Sequence, residues 1–228
     1  MRLIDTHSHL FLEEFSEDFP QVIERARAAG VTHIFMPNID STTIEAMLSA
    51  CSVYKGYCFP MIGLHPTSVN DNYEKELEIV ARELKFSKEY VAIGEIGMDL
   101  YWDKTYLKEQ QIVLDKQVNW ALEYDLPIVI HCRDAFDYIY KVLEPYKKTP
   151  LRGIFHSFTG TAEEATRVLE FSDFFIGING VVTFKKSHLP EILAGIPLEK
   201  IVLETDSPYL TPVPNRGKRN ESAYVKDT

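Results

Sequence analysis

Eight short apolar runs, each followed by a longer polar-apolar stretch, set the strongest limit on what this chain can fold into. The runs span 3–6, 32–37, 58–63, 91–96, 127–131, 152–156, 174–178 and 200–203. Between them lie helix-like segments at 20–29, 42–54, 73–85, 107–124, 135–146, 162–171 and 189–194. The segment 107–124 shows the 3.6-residue period in Ile112, Val113, Lys116, Gln117, Trp120 and Ala121. Asp134 and Thr161 are placed to cap helix starts, and Gly30 to close the first helix. Strands that alternate with helices pair in parallel through right-handed crossovers. Their near-continuous apolar character predicts burial on both faces.

Such a chain is α/β, and either a closed barrel or an open doubly wound sheet. An open nucleotide-binding sheet usually carries a glycine-rich turn after its first strand. Here His7 and His9 stand there instead, which favours a TIM-type (β/α)8 barrel. With 228 residues, the chain is expected to form one domain over 1–228. It is shorter than the roughly 250 residues typical of that fold. About 20 residues follow the eighth run, so a complete final helix is not expected.

The formal net charge is −10, which argues against broad phosphate neutralisation of duplex DNA. Any nucleic-acid contact is expected to be local or made through bound cations. Cys51, Cys58 and Cys132 form no CxxC pair and fit free thiols in a reducing compartment. No run of about 18 apolar residues is present, and the N-terminus lacks a signal-type apolar stretch. The expectation is a soluble, cytoplasmic protein with no membrane contact.

Polar residues cluster at the ends of the apolar runs. His7 and His9 follow the first, His65 the third, and Glu204 and Asp206 the eighth, while His156 ends the sixth. Glu95 and His131 end the fourth and fifth. In a (β/α)8 barrel those ends converge on one face, where active sites sit. A polar side chain set in an apolar strand is costly unless paired or ligated. Side chains two apart share a face, which joins His7 to His9 and Glu204 to Asp206. Imidazoles with carboxylates ligate divalent ions such as Zn, Mn, Fe, Ni or Mg. The set is too large for one tetrahedral site. It suits two ions about 3.5–4 Å apart, an arrangement that hydrolyses phosphodiesters and some amides.

Other residues read as structural. His33 lies within the second run and is expected in the core, and His188 on the surface. Cys132 points away from the face of His131. Phe15, Tyr101, Trp102, Phe158 and Tyr209 follow run ends and could pack in loops or stack on substrate. Arg216, Lys218 and Arg219 form a basic loop within possible reach of phosphates.

With these motifs in place, the chain resembles the TatD family of metal-dependent deoxyribonucleases, within the amidohydrolase-like hydrolases. The resemblance rests on IDTHSHL, GLHP, AIGEIGMDLY, IVIHCRD, FHSFTG, and LETDSPYLTPVP with NRGKRNESAYV, from residue 4 to about 225. It implies a TIM-type barrel and 3′ to 5′ exodeoxyribonuclease action on single-stranded DNA or 3′ ends. Two divalent ions (Mg, Mn or Zn) are implied as cofactors. His7, His9 and Asp206 are implied to hold one ion and His131 and His156 the other, with Glu95 bridging. Asp206 is also implied to take a proton from the attacking water. His65 is implied to contact the scissile phosphate or order the water, and Glu204 to orient a ligand. The family commonly reads NEPAY where Asn220-Glu221-Ser222-Ala223-Tyr224 stands, and continues for another helix. That absence predicts incomplete cover over the barrel and uncertain closure. Two alternatives stay open. One is a metal-dependent hydrolase of an amide, lactone or aminoacyl ester. The other is a non-catalytic interaction module.

Overall fold

The computed structural model describes residues 2–228. Strands and helices alternate as β1 (Leu3–Asp5), α1 (Phe19–Ala28), β2 (Val31–Pro37), α2 (Ile44–Val53), β3 (Cys58–Met61), α3 (Tyr73–Phe86), β4 (Ile93–Asp99) and α4 (Leu107–Glu123). They continue as β5 (Ile128–Arg133), α5 (Phe136–Leu143), β6 (Gly153–Phe155), α6 (Ala162–Val168), β7 (Phe174–Ile178), α7 (Leu189–Leu193) and β8 (Ile201–Leu203). A 3-10 helix, Ser222–Asp227, is the last element. No described helix is long and apolar enough to cross a membrane.

Every paired strand is parallel, in ladders of order β1-β2-β3 and β4-β5-β6-β7-β8. Two seams join the ladders. At β3–β4, Ile62 N donates to Ala92 O (3.2 Å) and Gly94 N to Ile62 O (2.9 Å). At β8–β1, Thr6 N donates to Leu203 O (3.1 Å), Asp206 N to His7 O (2.9 Å) and His9 N to Ser207 O (2.8 Å). The sheet therefore closes into a TIM-type barrel. The second seam lies at the strand ends that carry His7, His9 and Asp206, so closure itself brings the two ends of the chain together.

Strand side chains such as Ile34, Met36, Ile62, Ile96, Ile130, Phe155 and Ile176 are fully buried or nearly so, and Met36 and Phe155 face the helices, against Cys51 of α2 and Phe136 of α5. Helix α3 buries Leu77, Val80 and Leu84, the stripe its period predicts. Helix α4 buries Val113, Gln117 and Ala121 as expected, but its buried face is rotated from the expected stripe. Gln110, Val113, Leu114, Gln117, Val118 and Ala121 are buried, whereas Ile112 is 53% exposed. The two glutamines explain the rotation. Gln117 bonds both backbone groups of Leu64, and Gln110 both of Asp99, so polar side chains are anchored in the buried stripe.

Thr161 caps α6 through a complete capping box with Glu164. Asp134 does not cap α5. It sits at φ 52°, the cap position is Ala135, and no side-chain cap bond forms. Gly30, at φ 93°, follows the end of α1 as expected. The closing 3-10 helix buries Ser222, Ala223 and Val225 and packs on α1, β1 and β2. Ile4, on the face of β1 opposite Leu3 and Asp5, remains 44% exposed.

Candidate metal centre

Glu95 lies at the middle of a buried cluster. Its Oε2 is 3.1 Å from His7 Nε2 and 3.5 Å from His9 Nε2. Its Oε1 is 3.0 Å from His131 Nδ1, 3.0 Å from His156 Nε2 and 3.3 Å from His65 Nε2. One carboxylate thus faces two groups of imidazoles, one oxygen to each. Asp206 Oδ1 completes the first group, 3.7 Å from His7 Nε2 and 3.5 Å from His9 Nε2. His7 and His9 point Nε2 at Nε2 across 3.2 Å, a spacing that needs a shared proton or cation. Donor atoms close enough to share an ion occur in three sets: His7, His9 and Glu95; His7, His156 and Asp206; His65, Glu95 and His131. The donors are imidazole nitrogen and carboxylate oxygen, which suits a divalent ion.

All six expected ligands, His7, His9, Glu95, His131, His156 and Asp206, are therefore brought together. His65, expected to meet the phosphate or the water, also joins the cluster. It stands within 3.3 Å of Glu95, and its ring meets His131 edge-on at 4.6 Å. Glu204 lies behind His156, with Oε1 3.3 Å from Nδ1, in ion-pair range but without hydrogen-bond alignment.

A family model described as TatD related DNase matches residues 4–228. The chain belongs to this family. It is 40% identical to a Bacillus subtilis (strain 168) protein named uncharacterized metal-dependent hydrolase YabD, over 98% of this chain and 87% of that one. It is 32% identical to a Pantoea ananatis protein named 3′-5′ ssDNA/RNA exonuclease TatD, with the same coverage. Among solved structures, YjjV, a TatD homolog from Escherichia coli K12, superposes with a TM-score of 0.91 at 30% identity, covering 98% of this chain and 86% of that one.

In this TatD-family hydrolase, residues outside the expected set hold the cluster in place. Asp99 Oδ2 lies 2.9 Å from His131 Nε2, opposite the nitrogen that faces Glu95. The strand period carried that signal, because Asp99 is four residues after Glu95 on the same strand. Asp5 is fully buried and accepts from Thr205 N (2.9 Å), Thr205 Oγ1 (2.6 Å) and His7 N (3.4 Å). Burial pushes its carboxyl up to about 7. Thr205 Oγ1 reaches Ser207 Oγ (2.9 Å), which meets Ser8 Oγ (2.6 Å). Ser222 brings its hydroxyl to 3.4 Å from Ser8 Oγ. Asn220 donates to Thr205 O (2.8 Å) and Tyr209 O (2.6 Å), bracketing the loop that carries Asp206.

Two glycines make room at the site, one for the backbone of His131 and one for the Glu204 carboxylate. Gly97 adopts φ +136°, and a Cβ there would meet His131 O at 2.0 Å. A Cβ on Gly177 would meet Glu204 Oε2 at 2.5 Å. Past Leu203 the strand period no longer applies, since Asp206 turns into the left-handed region at φ 57°.

Burial and charge compete at each titrating group. Burial holds His7 and His65 below the usual histidine range. Burial also opposes charge on His131, but Asp99 and Glu95 outweigh it and raise its value. His156 is raised well above, because Glu95 and Glu204 together overcome burial. Against the same penalty, His156, His65 and His7 hold Glu95 well below the carboxylate range. Asp206 is lowered despite burial by its bond to His9 and the charges of His156 and His7. Both carboxylates therefore stay ionised, as cation binding requires.

The cluster floors a cleft of about 540 Å³ lined also by Ile39, Thr67, Arg133, Thr159 and Tyr209. His33 lies away from it, stacked on Phe59, and His188 is exposed beside Glu191. Phe15 and Phe158 are buried and pack in the core, while Tyr101, Trp102 and Tyr209 are exposed. Arg219 is committed to Asp18 (2.8 Å) and Arg216 stacks on Phe184. Cys132 packs against the core and also lines the cleft.

Proposed function

We propose that residues 1–228 act as one catalytic unit that removes nucleotides from the 3′ end of single-stranded DNA, using two divalent ions (Mg, Mn or Zn). The observation that carries this reading is the division of Glu95, one oxygen toward His7 and His9 and the other toward His131, His156 and His65. His7, His9 and Asp206 would hold one ion and His131 and His156 the other, with Glu95 between them. Bound there, the ions would supply Lewis acidity to the phosphate and acidify a water. Asp206, kept ionised, accepts the proton of the attacking water. His65, on the cleft wall, contacts the scissile phosphate. Glu204 and Asp99 orient His156 and His131 from behind. The relative named as an ssDNA/RNA exonuclease supports the substrate class. The acidic net charge is compatible with it, because a 3′ end needs only a few phosphate contacts.

A 3′-labelled single-stranded oligonucleotide tests the reading. Chelated protein resupplied with Mg, Mn or Zn is expected to release labelled mononucleotide, and EDTA to stop it. An intact oligonucleotide alongside rapid hydrolysis of a lactone, amide or aminoacyl ester would overturn it.

A further inference from the structure

Three side chains, Arg133 on the cleft wall and Tyr101 and Trp102 against it, take no part in the chemistry above. Arg133 lines the cleft, two residues after His131. Its guanidinium carbon lies 3.8 Å from the centroid of Tyr101 and 5.3 Å from that of Trp102. The two rings meet edge to face, 4.7 Å apart at 90°. Tyr101 is 52% exposed and Trp102 74%.

This trio differs from other arginine–aromatic contacts in the molecule. Arg167 stacks on Tyr140 and also pairs with Asp137, and Arg219 lies over Phe15 and also pairs with Asp18. Among the described residues, the Arg133 guanidinium makes no ion pair and no hydrogen bond. Its charge is left facing the cleft. The aromatic pair is not a loose loop tip either. Tyr101 N donates to Asp99 Oδ1 (3.1 Å), and Leu100 N to Arg133 O (2.9 Å). Asp99 in turn meets His131. The rings are thus tied to the metal cluster through one carboxylate, yet keep much of their apolar surface in water. Folding alone gains little from that exposure.

We propose that Arg133, Tyr101 and Trp102 form a nucleotide platform for the strand upstream of the cut. Trp102 and Tyr101 offer π-faces to an unpaired base, and Arg133 pairs with the adjoining phosphate. Stacking of this kind accepts any base, and it requires faces that a duplex keeps covered. The platform therefore selects single strands and leaves the sequence unread. This inference rests on the nuclease reading above.

The test separates the two. A labelled, cleavage-resistant phosphorothioate single strand is titrated with Mg-loaded protein by fluorescence anisotropy. Trp102→Ala is expected to weaken binding by about fivefold to a hundredfold. Trp102→Phe, which keeps a π-face, is expected to retain most of it. Arg133→Gln should weaken binding and reduce the log–log salt slope by roughly one. Hydrolysis of methyl p-nitrophenyl phosphate, which has no base, should stay within about twofold in Trp102→Ala. Strand affinities within about twofold of wild type in both variants would overturn the platform, even if the protein degrades DNA. So would equal losses on the strand and on the small diester, because Trp102 would then be supporting the metal cluster. Tight Trp102-dependent binding with no nucleotide release would uphold the platform and remove the exonuclease reading.

Discussion

The two halves of the metal cluster are built differently. Behind His131 and His156 stand carboxylates, Asp99 and Glu204. Behind His7 and His9 no carboxylate pairs with Nδ1. Their Nδ1 atoms, like that of His156, are buried without a hydrogen-bond partner, and the neighbouring support is the chain Asp5–Thr205–Ser207–Ser8. The consequence is a difference in basicity. His131 and His156 are raised by their carboxylates, whereas burial lowers His7. An imidazole with an acid behind it is a stronger donor to a cation, and also a better competitor for a proton. Side chains of the same type therefore form one half tuned by charge and one half tuned by position.

Replacing Glu95 should break both halves at once. Glu95→Gln is expected to abolish hydrolysis and to lose ion binding in both halves by calorimetry, with circular dichroism unchanged. A fully active Glu95→Gln would remove the shared-carboxylate reading. The next largest effect should expose the asymmetry. Asp99→Asn is expected to lower affinity for one ion by about 10–100-fold, while Ser207→Ala leaves both within a few-fold. Equal losses in the two variants would show that the halves are not distinct.

Proton competition should sharpen the same contrast. In the metal-free protein the raised His131 and His156 hold their protons to higher pH than His7 does. A cation must displace them, so affinity on that side should rise by up to about tenfold per pH unit for each proton released, levelling off above their raised values. The His7 side should be flatter, since a lowered imidazole is already neutral. Calorimetry in buffers of different ionisation enthalpy counts the protons. Release independent of pH would contradict the assignment. The smallest effect is expected at Asn220→Ala, which removes two buried hydrogen bonds from the Asp206 loop. A loss of about 1–3 kcal/mol is expected. At roughly 2–4 °C per kcal/mol in a chain of this size, a thermal melt would register it.

Much of the fold is legible because it depends on local pattern. Apolar runs and caps act over a few residues, and seven of the eight strand positions expected from them agree to within two residues at each end. The β4 run is the exception, continuing through Asp99 rather than stopping at 96. The strand-end histidines stand out for the same reason, as polar residues where an apolar period leads the eye. The misses are side chains whose partners are remote in sequence. Gln117 reads as part of a helical stripe, but what it grips is Leu64, 53 residues earlier. Asp134 has the composition of a cap, yet the chain passes through a left-handed conformation there and the cap bond cannot form.

By itself the sequence determined the alternation of elements and the inventory of donors, because hydrophobic period and side-chain chemistry belong to each residue and its near neighbours. Only the closed barrel decided which acid stands behind which imidazole, and that one carboxylate is divided between two groups of histidines. Those pairings join residues 36 apart for Glu95 and His131 and 199 apart for Ser8 and Ser207. The β4–β5 pairing brings Glu95 to His131, whereas Ser8 meets Ser207, and His7 and His9 meet Asp206, only once the β8–β1 seam has formed, when the cost of ordering the intervening chain has already been met by the burial of the core.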